Sequence, residues 1–85
     1  MGQMSGVEEW AFPFSIYPNP SKGQFRVRHA LSSPNLIMYA SDGRIVYHQI
    51  LHAQESLIDL DVKAGIYMLH VNDGQKTYVE KITIN

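Results

Sequence analysis

The sequence predicts an all-β protein, an antiparallel β-sandwich of about seven short strands. Three observations lead there. Apolar residues recur with a period of two in short runs, as in Gln24 to His29 and Ile66 to Val71. Turn residues punctuate these runs at a spacing of about 8–12 residues, the rhythm of a sandwich or barrel. Two Asp-Gly pairs, Asp42-Gly43 and Asp73-Gly74, stand between apolar runs and signal hairpins. One window competes: Arg44 to Ala64 lacks glycine and proline, and Val46, Ile50, Ala53, Leu57 and Leu60 fall near helical spacing. The β-branched and aromatic cluster Ile45-Val46-Tyr47, directly after a hairpin signal, favours two strands there.

Along the chain, residues 1–12 are weakly patterned and read as a linker or expression remnant, leaving a domain from 13 to 85. Trp10, Ala11 and Phe12 are candidates for packing back on the domain edge. Phe14 to Tyr17 is the first strand. Pro18 and Pro20 then fix φ, remove ladder donors and force the chain out of the sheet. In this corner Asn19 is expected to bond a backbone N–H about two residues on, and Gly23 to take positive φ. Gln24 to His29 is the second strand, with Phe25, Val27 and His29 on its inner face. Asn35 to Tyr39 is apolar on both faces and so central.

Ser41-Asp42-Gly43 turns into the fourth strand, Arg44 to Leu51, with positive φ expected at both turn positions. Ser56 to Leu60 is the fifth strand, and a loop closing on Gly65 leads to the sixth, Ile66 to Val71. There Tyr67, Leu69 and Val71 share one face, and Ile66, Met68 and His70 the other. After Asn72-Asp73-Gly74 comes the last strand, Gln75 to Ile84. Val79 is out of phase with Tyr78, Ile82 and Ile84, so a bulge near Glu80 is expected to bring all four inward.

Composition narrows the function. Eighty-five residues make one domain with a modest core. Seven basic and eight acidic residues leave a net charge of −1, with no two basic residues adjacent, which does not favour nucleic-acid binding. No apolar stretch is long enough for a membrane-spanning helix. The absence of cysteine excludes disulfides and thiolate metal sites. His48 and His52 have zinc-ligand spacing on a helix, but on a strand four positions span about 13 Å. His29 and His70 read as strand-face residues with hydrogen-bond partners, and Asp59 and Asp61 as solvent-facing or turn residues. There is no nucleophile elbow and no phosphate loop. No catalytic residue, cofactor or metal site is expected.

Four signals occur in order: Tyr17-Pro18-Asn19-Pro20 with Gly23; Ile37 to Val46, containing Asp42-Gly43; Ile58-Asp59-Leu60 leading to Gly65-Ile66-Tyr67; and Lys81-Ile82-Thr83-Ile84. As an ordered set they resemble the C-terminal sorting domain of the type IX secretion system of Bacteroidetes. The resemblance covers Phe14 to Asn85. It implies an immunoglobulin-like β-sandwich with no catalytic activity, carried behind a larger cargo protein. It further implies passage through the periplasm, recognition by an outer-membrane translocon, removal by a sortase-like peptidase, and a cargo at the cell surface or outside. The sorting-motif positions it implies are Tyr17, Pro18, Asn19, Pro20, Gly23, Asp42, Gly43, Gly65, Tyr67, Lys81, Ile82 and Ile84. The ending departs from the pattern, because members often carry more basic last residues.

The last strand, Gln75 to Ile84, is the segment expected to be read, since a strand edge or chain end is a handle for strand addition. The alternative is an accessory module binding carbohydrate or protein. It predicts a coplanar set among Tyr17, Phe25, Tyr39, Tyr47, Tyr67 and Tyr78, or an exposed apolar patch of roughly several hundred Å².

Overall fold

A computed structural model describes residues 14–85. The expected packing of Trp10 to Phe12, and the linker itself, lie outside the described residues. Seven strands follow in order: β1 (Phe14–Tyr17), β2 (Gln24–His29), β3 (Asn35–Ala40), β4 (Ile45–Ile50), β5 (Glu55–Asp59), β6 (Gly65–Asn72) and β7 (Thr77–Ile84). They form a three-stranded sheet, β1-β2-β5, and a four-stranded sheet, β4-β3-β6-β7, with every ladder antiparallel. This is the immunoglobulin-like Greek-key sandwich. The helical alternative for Arg44 to Ala64 is overturned. Once the hairpin pairs β4 with β3, the β-branched residues pack on a pleated surface and satisfy their backbone there.

The core is the inner face of each sheet. Phe25, Val27 and His29 from β2 meet Leu36 and Met38 from β3, Tyr67, Leu69 and Val71 from β6, and Ile82 and Ile84 from β7. The face assignments for β2 and β6 hold, and β3 is internal to its sheet, as its two-sided apolarity required. His29 is buried in the one tautomeric arrangement that serves both ring nitrogens. Nε2 lies 2.7 Å from the Ala53 carbonyl and so carries the proton, while Nδ1 accepts the Leu31 N–H at 3.1 Å.

Three local expectations are corrected. The bulge lies in β3–β4, where the register shifts between Met38 and Tyr39, whereas the β6–β7 ladder runs unbroken from Gly65↔Ile84 to Asn72↔Thr77. Val79 therefore stays on the outer face, and Glu80 takes the inward position near the rim, half-buried. In the β3–β4 hairpin only Gly43 has positive φ. Its N–H donates to the Ala40 carbonyl at 2.9 Å, and the Ala40 N–H to the Arg44 carbonyl at 2.8 Å. A three-residue loop with one left-handed glycine satisfies the same pairing. In the β6–β7 turn Gly74 plays that part, and one Asp73 carboxylate oxygen accepts the N–H groups of Gln75 and Lys76 at 2.9 and 2.8 Å. Those bonds hold Gln75 and Lys76 in the turn, so β7 starts at Thr77.

Gly23 is the glycine with least tolerance. Its φ is +108°, and a Cβ there would sit 2.6 Å from the Leu60 carbonyl oxygen. That closeness ties the corner to the end of β5, since the Leu60 N–H donates to the Gly23 carbonyl at 2.8 Å. Gly43, at φ +89°, has open space around its Cβ position. Gly23→Ala is therefore expected to cost about 2–4 kcal/mol, combining backbone strain with displacement of β5, and Gly43→Ala only about 1 kcal/mol. Urea denaturation of the two variants measures this, and equal losses would remove the close approach as the cause.

The Asp73 carboxyl is held below its ordinary value of 3.8, first by the Gln75 N–H and then by that of Lys76. A lowered folded-state pKa means the stabilisation is complete above the ordinary value and fades as pH falls below it. Asp73→Asn is expected to flatten the loss of stability between about pH 4 and pH 2. Urea midpoints across that range are the measurement.

Candidate functional site

The motif residues were read from four separate stretches, and strand direction brings most of them to one end of the sandwich. Gln24 pairs with Asp59, Ala40 with Tyr67, Gly65 with Ile84, and Ser21 bridges to Ile84. This pole therefore collects the β1–β2 corner, the β3–β4 hairpin, the β5–β6 loop and the end of β7. The opposite pole holds Phe14, the β2–β3 and β4–β5 turns and the β6–β7 hairpin.

At the motif pole the corner is bonded to the last strand. Asn19 makes two bonds with its side-chain amide: Nδ2 donates to the Lys81 carbonyl at 2.9 Å, and Oδ1 accepts the Thr83 N–H at 3.1 Å. One side chain thus imitates one residue of a strand. Ser21 continues the pairing with its backbone, donating to the Thr83 carbonyl at 2.8 Å and accepting the Asn85 N–H at 2.7 Å. The expected short-range turn bond of Asn19 is not made. Ser21 supplies it, accepting the Gly23 N–H at 3.0 Å and donating to the Gln24 carbonyl at 2.8 Å. The peptide bonds before Pro18 and Pro20 are both cis. Ser21 is 2% exposed and was missed as a motif position. A serine two residues before a glycine was the available signal, since its hydroxyl can close a local turn.

Asp42 caps its own turn, its carboxylate accepting the Arg44 N–H at 3.0 Å with the Arg44 guanidinium 3.7 Å away. Across a shallow depression of about 180 Å³ lie Lys63, Gly65 and Tyr67. Tyr67 is buried and its hydroxyl donates to the Lys63 carbonyl at 2.5 Å, pinning the β5–β6 loop. Ile82 and Ile84 point into the core, while the Lys81 side chain is exposed. Tyr17 stands apart. Its ring lies over the outer face of the three-stranded sheet, where its hydroxyl donates to Glu55 at 3.0 Å and Arg26 approaches the same carboxylate at 3.5 Å. The bond to Glu55 is the main cause holding the Tyr17 phenol above its ordinary value.

The other candidates disperse. His48 is on the outer face of β4, with Nε2 3.2 Å from the Asn35 side-chain oxygen, and His70 packs against Tyr39 with ring centroids 4.6 Å apart. Among the described residues no group of three His, Cys, Asp or Glu side chains could hold a metal. Among the described residues the aromatic side chains do not form one exposed plane. Phe25 and Tyr67 are buried, Tyr39, Tyr47 and Tyr78 are half-buried, and Tyr17 is the one exposed. Among the described residues no helix is long and apolar enough to cross a membrane.

Fold and pole together define a small immunoglobulin-like module whose marked residues are spent on turns, a strand-edge latch and a displayed end. The chain belongs to the family of secretion system C-terminal sorting domains, which match over residues 15–85. This is the type IX family that the four motifs resemble. No curated protein matches the chain. A solved structure of PorZ, described as an essential bacterial surface component of the type IX secretion system of Porphyromonas gingivalis, has the same fold, with a TM-score of 0.73 at 18% identity. The similarity covers 85% of this chain and 11% of that one, so the chain spans a small part of that protein's length.

Asn19→Ala removes the two side-chain bonds of the latch and is expected to cost about 1–2 kcal/mol, a fall in Tm of roughly 5–10 °C for a domain of this size. Asn19→Asp keeps the acceptor for Thr83 but cannot donate to Lys81, and should also destabilise. Thermal denaturation checks both, and an unchanged Tm for Asn19→Ala would mean the Asn19 side-chain bonds carry no stability.

Proposed function

We propose that the module, from residue 13 to 85, is a non-catalytic export signal for a cargo joined to its N-terminal side through residues 1–12. In this reading the cargo crosses the periplasm, an outer-membrane translocon recognises the module, a sortase-like peptidase removes it, and the cargo reaches the surface or the medium. The observation that carries the reading is the gathering of the motif stretches at one pole, opposite the pole where Phe14 brings the chain in. A partner approaching the motif pole is kept clear of the cargo by the length of the strands.

The motif residues divide by what their side chains do. Gly23, Tyr67, Ile82 and Ile84 shape the fold, because they are buried or closely approached. Lys81, together with Lys22, Arg44 and Lys63 beside the motifs, is exposed and available to a partner. Deleting Lys81 to Asn85 is therefore a poor test of recognition. It removes two buried isoleucines, each contributing about 1.5–3 kcal/mol, as well as the latch.

Charge reversal separates display from folding. A reporter carrying a secretory signal and this module is expressed in a type IX host. Combined Lys22→Glu, Arg44→Glu and Lys63→Glu substitutions are expected to lower surface delivery at least several-fold with Tm unchanged. Lys76→Glu, at the opposite pole, should leave delivery as it is. Wild-type delivery by the folded triple variant would exclude the motif pole as the recognised surface.

A further inference from the structure

Among the described residues four strands lie at sheet edges: β1 and β5 in one sheet, β4 and β7 in the other. An edge presents unpaired backbone groups and invites another strand, so edges are usually blunted. β1 has four residues and runs into Pro18 and Pro20. β5 has five and begins and ends with carboxylates, Glu55 and Asp59. The pairing of β4 with β3 is broken by the bulge. β7 has eight residues, no proline and an unbroken ladder with β6.

Among the described residues only part of β7 is covered. The Lys81 carbonyl, the Thr83 N–H and carbonyl, and the Asn85 N–H face outward and are taken by Asn19 and Ser21. Successive residues of a strand direct their backbone groups to opposite sides. Odd-numbered residues of β7 therefore face away from β6 along its whole length. The Thr77 carbonyl, the Val79 N–H and carbonyl, and the Lys81 N–H point to the open side, without a partner among the described residues. Thr77, Val79 and Lys81 are all exposed.

We propose that residues 77–81 receive an extended segment of the export machinery as an added strand. The proposal rests on the export reading above and adds to the motif-pole contact a second one, along the flank of the sandwich between that pole and the β6–β7 hairpin. Such a segment offers a backbone in β conformation, with carbonyls for the Val79 and Lys81 N–H groups and an N–H for the Val79 carbonyl. An apolar side chain against Val79 and a carboxylate against Lys81 complete the match. Further along, the same edge already takes backbone pairing, where Ser21 bridges to Ile84 in parallel fashion. Length argues against a second copy as the occupant. Five residues span about 17 Å, and the latch stops pairing from running further. So short a contact falls well below the roughly 1,200 Å² of a stable complex. It suits a partner that holds the module briefly and lets go.

Proline at position 79 tests this selectively. Its ring removes an N–H that faces away from β6, so the β6–β7 ladder keeps its bonds. In the reporter fusion, folded Val79→Pro is expected to reduce surface delivery roughly tenfold, the effect of about one lost hydrogen bond, while Val79→Thr stays within about twofold of wild type. Wild-type delivery by folded Val79→Pro overturns the proposal, and so does an equal loss with Val79→Thr, which would assign recognition to the side chain. Amide hydrogen exchange on the purified wild-type module decides the state of the edge without relying on the proline variant. Fast exchange at Val79 and Lys81 with protection at Thr83 and Asn85 supports an open edge. Protection at Val79 and Lys81 in the monomer, or a dimer in sedimentation that Val79→Pro abolishes, overturns it. A wild-type fusion that is not delivered overturns the export reading instead, and exchange still reports on the edge.

Discussion

The bond between the proline corner and the last strand is the constraint on which the rest of the molecule depends. A two-sheet sandwich has to be closed along its sides, and here the closure comes from two stretches at opposite ends of the domain. Asn19 lends its side-chain amide to Lys81 and Thr83, and Ser21 lends its backbone to Thr83 and Asn85. The corner can do this because prolines on either side of Asn19 limit its alternatives, so less conformational entropy is lost when it docks. Ser21 and Gly23 then turn the chain into β2 within a few residues, at a point where only a glycine fits beneath the Leu60 carbonyl.

This arrangement gives physical content to motifs that look unrelated in sequence. The corner and the terminal stretch are two sides of one contact. Asp42-Gly43 and Gly65-Ile66-Tyr67 are neighbouring loops on the same pole, the second held by the Tyr67 hydroxyl on Lys63. What ties the set together is the scaffolding of an end surface, with the exposed lysines and Arg44 as its display. Such a surface suits a module that is recognised and passed on. It also accounts for the mixture of buried and exposed residues within each motif, since a rigid display needs a packed support.

Much of this architecture was legible in the chain. Alternation in β2 and β6 announced which side chains would be buried, because a strand has a period of two and one face must leave water. The two-sided apolarity of β3 announced an internal strand. Val79 shows where such reading fails. An apolar residue out of phase suggested a bulge, but an exposed valine on an edge strand costs little, and the ladder with β6 outweighed it. The bulge fell in the β3–β4 ladder instead, where nothing in the pattern marked it. Asn19 failed differently. Its short-range options were visible in sequence, whereas its partners lie more than sixty positions away.

The sequence by itself determined the fold class, the number and order of the strands, the inward faces of β2 and β6 and the positions of the turns. These follow from local rules: side-chain period, proline's missing donor and glycine's access to positive φ. Only the tertiary structure decided which stretches meet at one pole, where Asn19 bonds, and which half of the last strand the corner covers. Those outcomes depend on how two sheets stack and on which backbone groups remain unpaired after stacking, and no local pattern encodes that.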